Sequence, residues 1–377
     1  MGRAFTQENT KNDTHLMKKN RILILYAEVM GYLLVGINQY LETYPDTEIL
    51  LFELDEQKKT KFSFEPQHFV SLKKSNFRDY SSFSRCCKNF KPNLVLVSGR
   101  MHPHYLKVAR SFKNQNIYTV TLQDTQYEHS FRQKIIRLLS SFLYTRNFSG
   151  FWGAGSPQTA FAYSLGFKKQ DIFEGIYVAD LSTFLRKKKT ASRPTNTAKT
   201  ILYVGRFSVE KNLPTLLKAF SAANQAHGNI HKLILIGDGP LKSQFESNQN
   251  IEIYPFMSAS ELATFVEDKH VDIFCLPSLY EPWGVVIHEF AAAGLPLLLS
   301  NRCGASTKFL IEGYNGFSFN PEKYKSLLLA LNNFLKLESD TIKSMGENSY
   351  SLAHQITPNM WAATLQAILL RSDLSSK

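Results

Sequence analysis

The chain has 377 residues, more than one ordinary core fills, so about two domains are expected. Its 44% hydrophobic and 20% charged residues exclude an intrinsically disordered chain, and no window approaches the ~18 uninterrupted apolar residues of a membrane span. The 44 Lys+Arg against 32 Asp+Glu leave a formal charge of +12, which selects an anionic partner. Without a zinc-finger, RNA-recognition or homeodomain pattern, nucleic acid is set aside. A phosphate-bearing substrate and an anionic lipid surface remain.

Residues 1–20 are polar and lack the apolar stretch of a secretory signal, so a disordered tail is expected there. Gly2 and Thr6 formally match a myristoylation pattern, and Met17 offers an alternative start ahead of Lys18-Lys19. The run RILILYAE, Arg21 to Glu28, predicts a buried first strand, with Gly31 in the turn and a helix to about Thr43. Further strands are predicted at EILLFEL near residue 50, HFVSL near 70, Asn93 to Ser98, Ile117 to Leu122 and GFWGAG near 152. Between them, Ser130 to Arg146 predicts an amphipathic helix carrying Arg132, Lys134, Arg137 and Arg146. Its Ile135, Ile136, Leu138 and Leu139 suit a stripe packed on the sheet, and a seat on an anionic membrane is the competing reading.

The stretch 186–199, RKKKTASRPTNTAK, is basic, small and polar, the composition of a linker. After it TILYVGR restarts the pattern, with strands predicted at KLILIG, IEIYPF, VDIFCLP and LPLLLS. The expected organisation is a first α/β domain over 21–185, a second over 200–355 and a C-terminal helix over 356–377. Ligands are expected between two such halves. Cys86, Cys87, Cys275 and Cys303 fit neither a zinc site nor a disulfide framework and are read as reduced thiols of a cytosolic protein.

The densest chemistry lies in SLYEPWGVVIHEFAAAGLPLLLS, Ser278 to Ser300. A strand ends near Pro277, a loop carries Glu281, and a helix begins at about Gly284 with Glu289 inside it. Free N–H groups at Gly284 and Val285 suit a nucleotide diphosphate, helped by the positive end of the helix dipole. Glu281 suits sugar hydroxyls and Glu289 suits ribose hydroxyls. An ordinary helix with one capping and one solvated glutamate accounts for the spacing equally well. YVGRFSVEKN, Tyr203 to Asn212, supplies Gly205, Arg206 and Lys211, and fixed cations stabilise a departing diphosphate. LIGDGP, Leu235 to Pro240 with Gly237, is good turn chemistry.

These segments together resemble glycosyltransferase family 4. Its signature sets two glutamates with seven residues between them around an aromatic–glycine step; here they are Glu281 and Glu289, with Trp283 in place of the commonest aromatic. The resemblance implies a GT-B fold, two Rossmann-like domains facing across a cleft, with the last helix crossing back to the first domain. It implies a retaining, metal-independent, hexosyltransferase-type enzyme (EC 2.4) of the kind found in bacterial polysaccharide synthesis. Arg206 and Lys211 then grip the donor diphosphate, Glu281 positions the sugar, Glu289 anchors the ribose, and LIGDGP lies near the base. Gly31 falls where family members keep a glycine-containing loop near donor phosphate and acceptor, although this chain has one glycine there and not a pair. Asp124 falls where many members place a cleft-facing His or Asp, and capping the following turn is its alternative role. The segments GFWGAGSPQTAFAYSLGF and IYVADLSTF resemble the hinge side of polysaccharide-building members.

His129 reads as a surface or capping residue, and His102 and His104 lack a third ligand for a metal. No Asp-x-Asp triplet occurs to hold a metal-bound diphosphate. The expectation is a cytoplasmic enzyme without cofactor or metal, at most peripheral on the inner membrane face. It would use a UDP-, GDP- or ADP-sugar donor and a glycan or lipid-linked acceptor. A sugar-nucleotide epimerase and a silent nucleotide-sugar binder are the competing readings.

Overall fold

The computed structural model describes residues 19–54, 68–100, 102–128, 130–184 and 198–375. The tail over 1–18, most of the linker over 186–199, and His129 lie outside them.

In the first unit the strands are β1 (Asn20–Tyr26), β2 (Thr47–Glu53), β3 (Val70–Lys73), β4 (Leu94–Ser98), β5 (Tyr118–Gln123), β6 (Gly150–Gly153) and β7 (Ile172–Glu174). Its helices are α1 (Gly31–Thr43), α2 (Tyr80–Asn89), α3 (Pro103–Lys113), α4 (Phe131–Leu138) and α5 (Ser156–Ser164). The second unit has β8 (Thr200–Val204), β9 (Lys232–Ile236), β10 (Ile251–Tyr254), β11 (Ile273–Leu276), β12 (Leu297–Ser300) and β13 (Gly316–Phe319). With them come α6 (Leu213–Ala226), α7 (Ala259–Asp268), α8 (Val285–Ala292), α9 (Ser306–Phe309), α10 (Tyr324–Leu335) and α11 (Ser339–Ala353), and last α12 (Pro358–Ser375).

Both sheets are parallel throughout. Their orders are β3-β2-β1-β4-β5-β6-β7 and β10-β9-β8-β11-β12-β13. Each is the doubly wound order, in which the winding reverses beside the first strand. The strands read as continuous apolar runs because helices cover both faces: Ile22 to Leu25, Val95 and Leu233 to Ile236 are all buried. The reversal points fall between β1 and β4 and between β8 and β11. Loops leaving the carboxyl ends of those strands are where such sheets hold ligands.

The units meet through segments that follow the carboxyl ends of β5, β6 and β11. Gln126, just past β5, donates from Nε2 to the carbonyls of Glu281 (2.5 Å) and Pro282 (3.1 Å). Gln158 of α5 bridges the carbonyls of Asp124 (2.7 Å) and Pro282 (2.9 Å). Gly155 gives Trp283 its room, since a Cβ there would come within 2.6 Å of the indole.

The last helix, α12, lies on α1 of the first unit. Trp361 is buried against Trp152 (ring centroids 5.0 Å apart) and donates from Nε1 to the carbonyl of Ile176 at 3.0 Å. Tyr40 donates to Gln366 at 2.8 Å, and Arg371 pairs with Asp171 at 2.9 Å. Among the described residues no helix is long and apolar enough to cross a membrane.

One expectation is corrected. The amphipathic helix predicted over 130–146 ends at Leu138, and a π-helical turn follows over Ser141–Thr145. Its predicted core stripe does not pack: Ile135, Leu138 and Leu139 are exposed, and only Ile136 leans on the core. The cause is Gln133, which takes the inward position. Its amide is satisfied there by the Glu128 N–H (2.7 Å) and the Gln126 carbonyl (2.6 Å), so the neighbouring apolar side chains turn outward.

Candidate functional site

At the second reversal point, two loops are tied together by side-chain and backbone bonds. The loop after β8 carries Gly205, Arg206 and Lys211, and the loop after β11 carries Glu281. Asn212, in a left-handed conformation (φ 57°), donates to the carbonyls of Pro277 (3.3 Å) and Pro321 (3.2 Å). The Leu279 N–H donates to the Glu210 carbonyl at 2.8 Å. This lacing brings the Lys211 ammonium onto the Glu281 carboxylate as an ion pair. Arg206 stands exposed on the same loop as Lys211, its carbonyl accepting from the Tyr203 hydroxyl at 2.9 Å.

Gly284 forms the N-cap of α8 at φ 91°. That left-handed conformation favours glycine, and a Cβ would also crowd the Glu281 side chain at 3.0 Å. No side chain caps the helix, and the Ile287 N–H bonds the Gly284 carbonyl at 2.9 Å, so the N–H groups of Val285 and Val286 are the ones that face outward for a ligand. Glu289 follows on the same helix. Burial, and then the charge of Asp180, push its carboxyl up to about 7. Burial also works against charge on Asp180, but bonds from Ser182 and Thr183 outweigh it and hold that carboxyl below the ordinary range. His288 fixes the two acids relative to each other. Its Nδ1 accepts from the Ala179 N–H at 3.2 Å, and its Nε2 lies 3.0 Å from the Ala353 carbonyl. Burial lowers this imidazole to about 4, which keeps it neutral.

Gly205 and Gly237 sit where the ends of β8 and β9 run side by side. A Cβ on Gly237 would stand 1.9 Å from the Gly205 carbonyl, so close strand approach alone requires a glycine there. Gly31 opens α1 at the first reversal point, with Met30 as an N-cap whose side chain does not cap the helix.

Asp124 does not cap the following turn. It lies just past β5, and its Oδ2 accepts from the Tyr177 hydroxyl at 3.1 Å. Burial raises its carboxyl above the usual carboxylate range. Tyr177 stacks edge-on with Tyr32, ring centroids 4.7 Å apart, and burial pushes the Tyr32 hydroxyl to about 12. Asp124, Tyr32 and Tyr177 thus form one polar cluster under the start of α1. His102 serves as N-cap of α3. Among the described residues no group of three or more His, Cys, Asp or Glu is placed to hold a metal ion, and all four cysteines are free thiols.

Sequence reasoning missed Tyr32, Tyr177, Gln126, Gln158 and Asp180. Asp180 alone carried a local signal, the Asp-Leu-Ser-Thr run of an Asx-type cap. The others are recruited by long-range contacts that no spacing reveals.

Comparison with known proteins bears on the family and the fold. Residues 186–352 match the family described as Glycosyl transferases group 1. A glycogen synthase from Mycobacterium tuberculosis is 31% identical over 150 residues, covering 38% of this chain and 36% of that protein. The chain spans about a third of the length of the curated relatives it first matches. Among solved structures, sucrose-phosphate synthase from Thermosynechococcus elongatus superposes with a TM-score of 0.72 at 16% identity, covering 95% of this chain and 100% of that one. HepE from Anabaena, in complex with UDP and glucose, does so with 0.67 at 16% identity, covering 92% and 98%. The shared architecture is the GT-B fold, two Rossmann-like parallel-sheet domains.

Proposed function

With a glycosyl transferases group 1 domain over residues 186–352 as premise, we propose that the protein is a retaining glycosyltransferase of family 4. It takes a nucleotide-diphosphate sugar and transfers the sugar to a glycan or lipid-linked acceptor, in surface polysaccharide synthesis. The observation that supports the reading is the laced pair of loops at the second reversal point, where Lys211, on the loop that also carries Arg206, pairs with Glu281 just ahead of the uncapped start of α8.

In this reading the diphosphate lies on the α8 N–H groups at Val285, between Gly205 and Gly284. Arg206 and Lys211 neutralise the charge it gathers as the glycosidic bond breaks, so no metal is needed. Lys211 leaves Glu281 when donor arrives, which frees the Glu281 carboxylate for the sugar hydroxyls. Glu289 accepts from the ribose hydroxyls. The departing diphosphate takes the proton of the acceptor hydroxyl, and no protein nucleophile intervenes. The cluster of Asp124 and Tyr177 faces the sugar from the acceptor side, with Gly31 nearby. Neither a resident cofactor nor a metal is assigned.

The test is product analysis with UDP-, GDP- and ADP-sugars in the presence of chelator. Transfer to a hydroxyl acceptor with the α-configuration kept is the expected result. A β-linked product refutes retention, and an altered free sugar without transfer identifies an epimerase instead.

A further inference from the structure

The corrected segment around α4 carries chemistry that neither core packing nor the donor site uses. Five large apolar side chains project from it: Phe131 is 78% exposed, Ile135 46%, Leu138 85%, Leu139 48% and Phe142 61%. Interleaved with them are the exposed cations Arg132, Lys134, Arg137 and Arg146. No acidic residue occurs between Ser130 and Arg146. Exposed apolar groups clustered this closely mark an interaction surface. The all-cationic setting decides its partner, since insertion of Phe and Leu beside Lys and Arg is how a helix lies in an anionic lipid interface.

The patch is also continuous with the candidate site. Gln133, on the buried side of α4, donates to the Gln126 carbonyl at 2.6 Å. The Gln126 side chain in turn donates to the Glu281 carbonyl at 2.5 Å. A membrane under α4 is therefore two hydrogen bonds from the loop that carries Glu281. Arg100, on the loop after β4, extends the basic rim by donating to the Tyr144 hydroxyl at 3.1 Å.

We propose that α4 and the turn after it, through Phe131, Leu138, Phe142 and their flanking cations, seat the protein on an anionic phospholipid surface and present the acceptor opening to that surface. The proposal rests on the transferase reading only in naming the acceptor as membrane-borne; the docking itself stands on the patch.

The experiment floats the full chain with vesicles of phosphatidylcholine alone and of phosphatidylcholine mixed with phosphatidylglycerol, at low and high salt. The wild type is expected on the mixed vesicles, released by salt and nearly absent from the neutral ones. Leu138→Glu with Phe142→Glu, and separately Arg132→Glu with Arg137→Glu, should each lower the bound fraction about tenfold or more. All four side chains are solvent-exposed, so thermal stability and nucleotide binding should stay at the wild-type level, which separates failure of docking from failure of the donor site. Equal binding to both vesicle types, binding unchanged in both variants, or no binding overturns the proposal. So does self-association in sedimentation velocity that Leu138→Glu with Phe142→Glu abolishes, because the patch is then an interface between copies.

Discussion

Glu289 should make the empty protein less stable in order to serve its ligand, and Glu289→Gln exposes the cost. The carboxyl titrates near 4.5 in the unfolded chain and at about 7 in the folded one. Between those values the folded state holds the extra proton, so this carboxyl's contribution to stability is greatest below pH 4.5 and falls as pH rises through 7. Above that, burying the charge costs about 3 kcal/mol, the product of the displacement and about 1.36 kcal/mol per pH unit. Glutamine keeps the shape and removes the charge. With about 2–4 °C in Tm per kcal/mol for a domain of roughly 150–250 residues, Glu289→Gln should melt several degrees above wild type near pH 8. Near pH 4.5, where the wild-type carboxyl is mostly protonated, the two should nearly coincide. The assay is thermal melting of the ligand-free proteins across that range, repeated with saturating nucleotide, where the variant should lose most of its ligand-induced gain. If Glu289→Gln is destabilised equally at both pH values, the carboxylate is a structural acceptor and the argument from buried charge fails.

Lys211→Ala should lower kcat by ~100-fold or more, the scale of one lost donor to a developing charge. Near-normal turnover in steady-state assays would remove Lys211 from the chemistry. Asp124→Asn keeps the Tyr177 partner but loses the acid. Because burial raises the Asp124 carboxyl, wild-type activity should fall on its acidic side above the ordinary carboxylate range. The variant should lose that limb together with about tenfold or more in kcat, and an unchanged pH profile would contradict the assignment. Trp361→Ala should cost about 3–5 kcal/mol in urea unfolding by emptying its seat against Trp152 and against Gly36 of α1, where a Cβ would come within 2.4 Å of the indole; a loss under about 1 kcal/mol would mean that α12 is not needed to hold α1.

The fold was legible because both sheets are parallel and buried on both faces, so their strands stand out as apolar runs such as Arg21 to Glu28 and Thr200 to Val204. Short edge strands were not: β7 has three residues, Ile-Phe-Glu, and β13 has Gly316 at its start, and neither carries a periodic signal. The loops with Lys211 and Glu281 stood out in the sequence through the family resemblance, since their spacing alone fitted an ordinary capped helix equally well. Asp124 was legible as a position but not as a cluster, since Tyr177 reaches it from 53 residues away. The segment after Ser130 was misread for a definite reason. Periodicity counts apolar side chains and assigns them inward, but here the hydrogen-bonded amide of Gln133 takes the inward place.

The measurement closest to the central claim is thermal stabilisation by UDP, GDP and ADP in the presence of EDTA, for the wild type and for Arg206→Ala with Lys211→Ala. A ligand that binds only the folded state raises its melting temperature by mass action. One of the three nucleotides should stabilise the wild type without metal, and the double variant should lose that gain. No shift with any nucleotide, or a shift that EDTA abolishes, would contradict a metal-independent diphosphate site at the loops after β8 and β11.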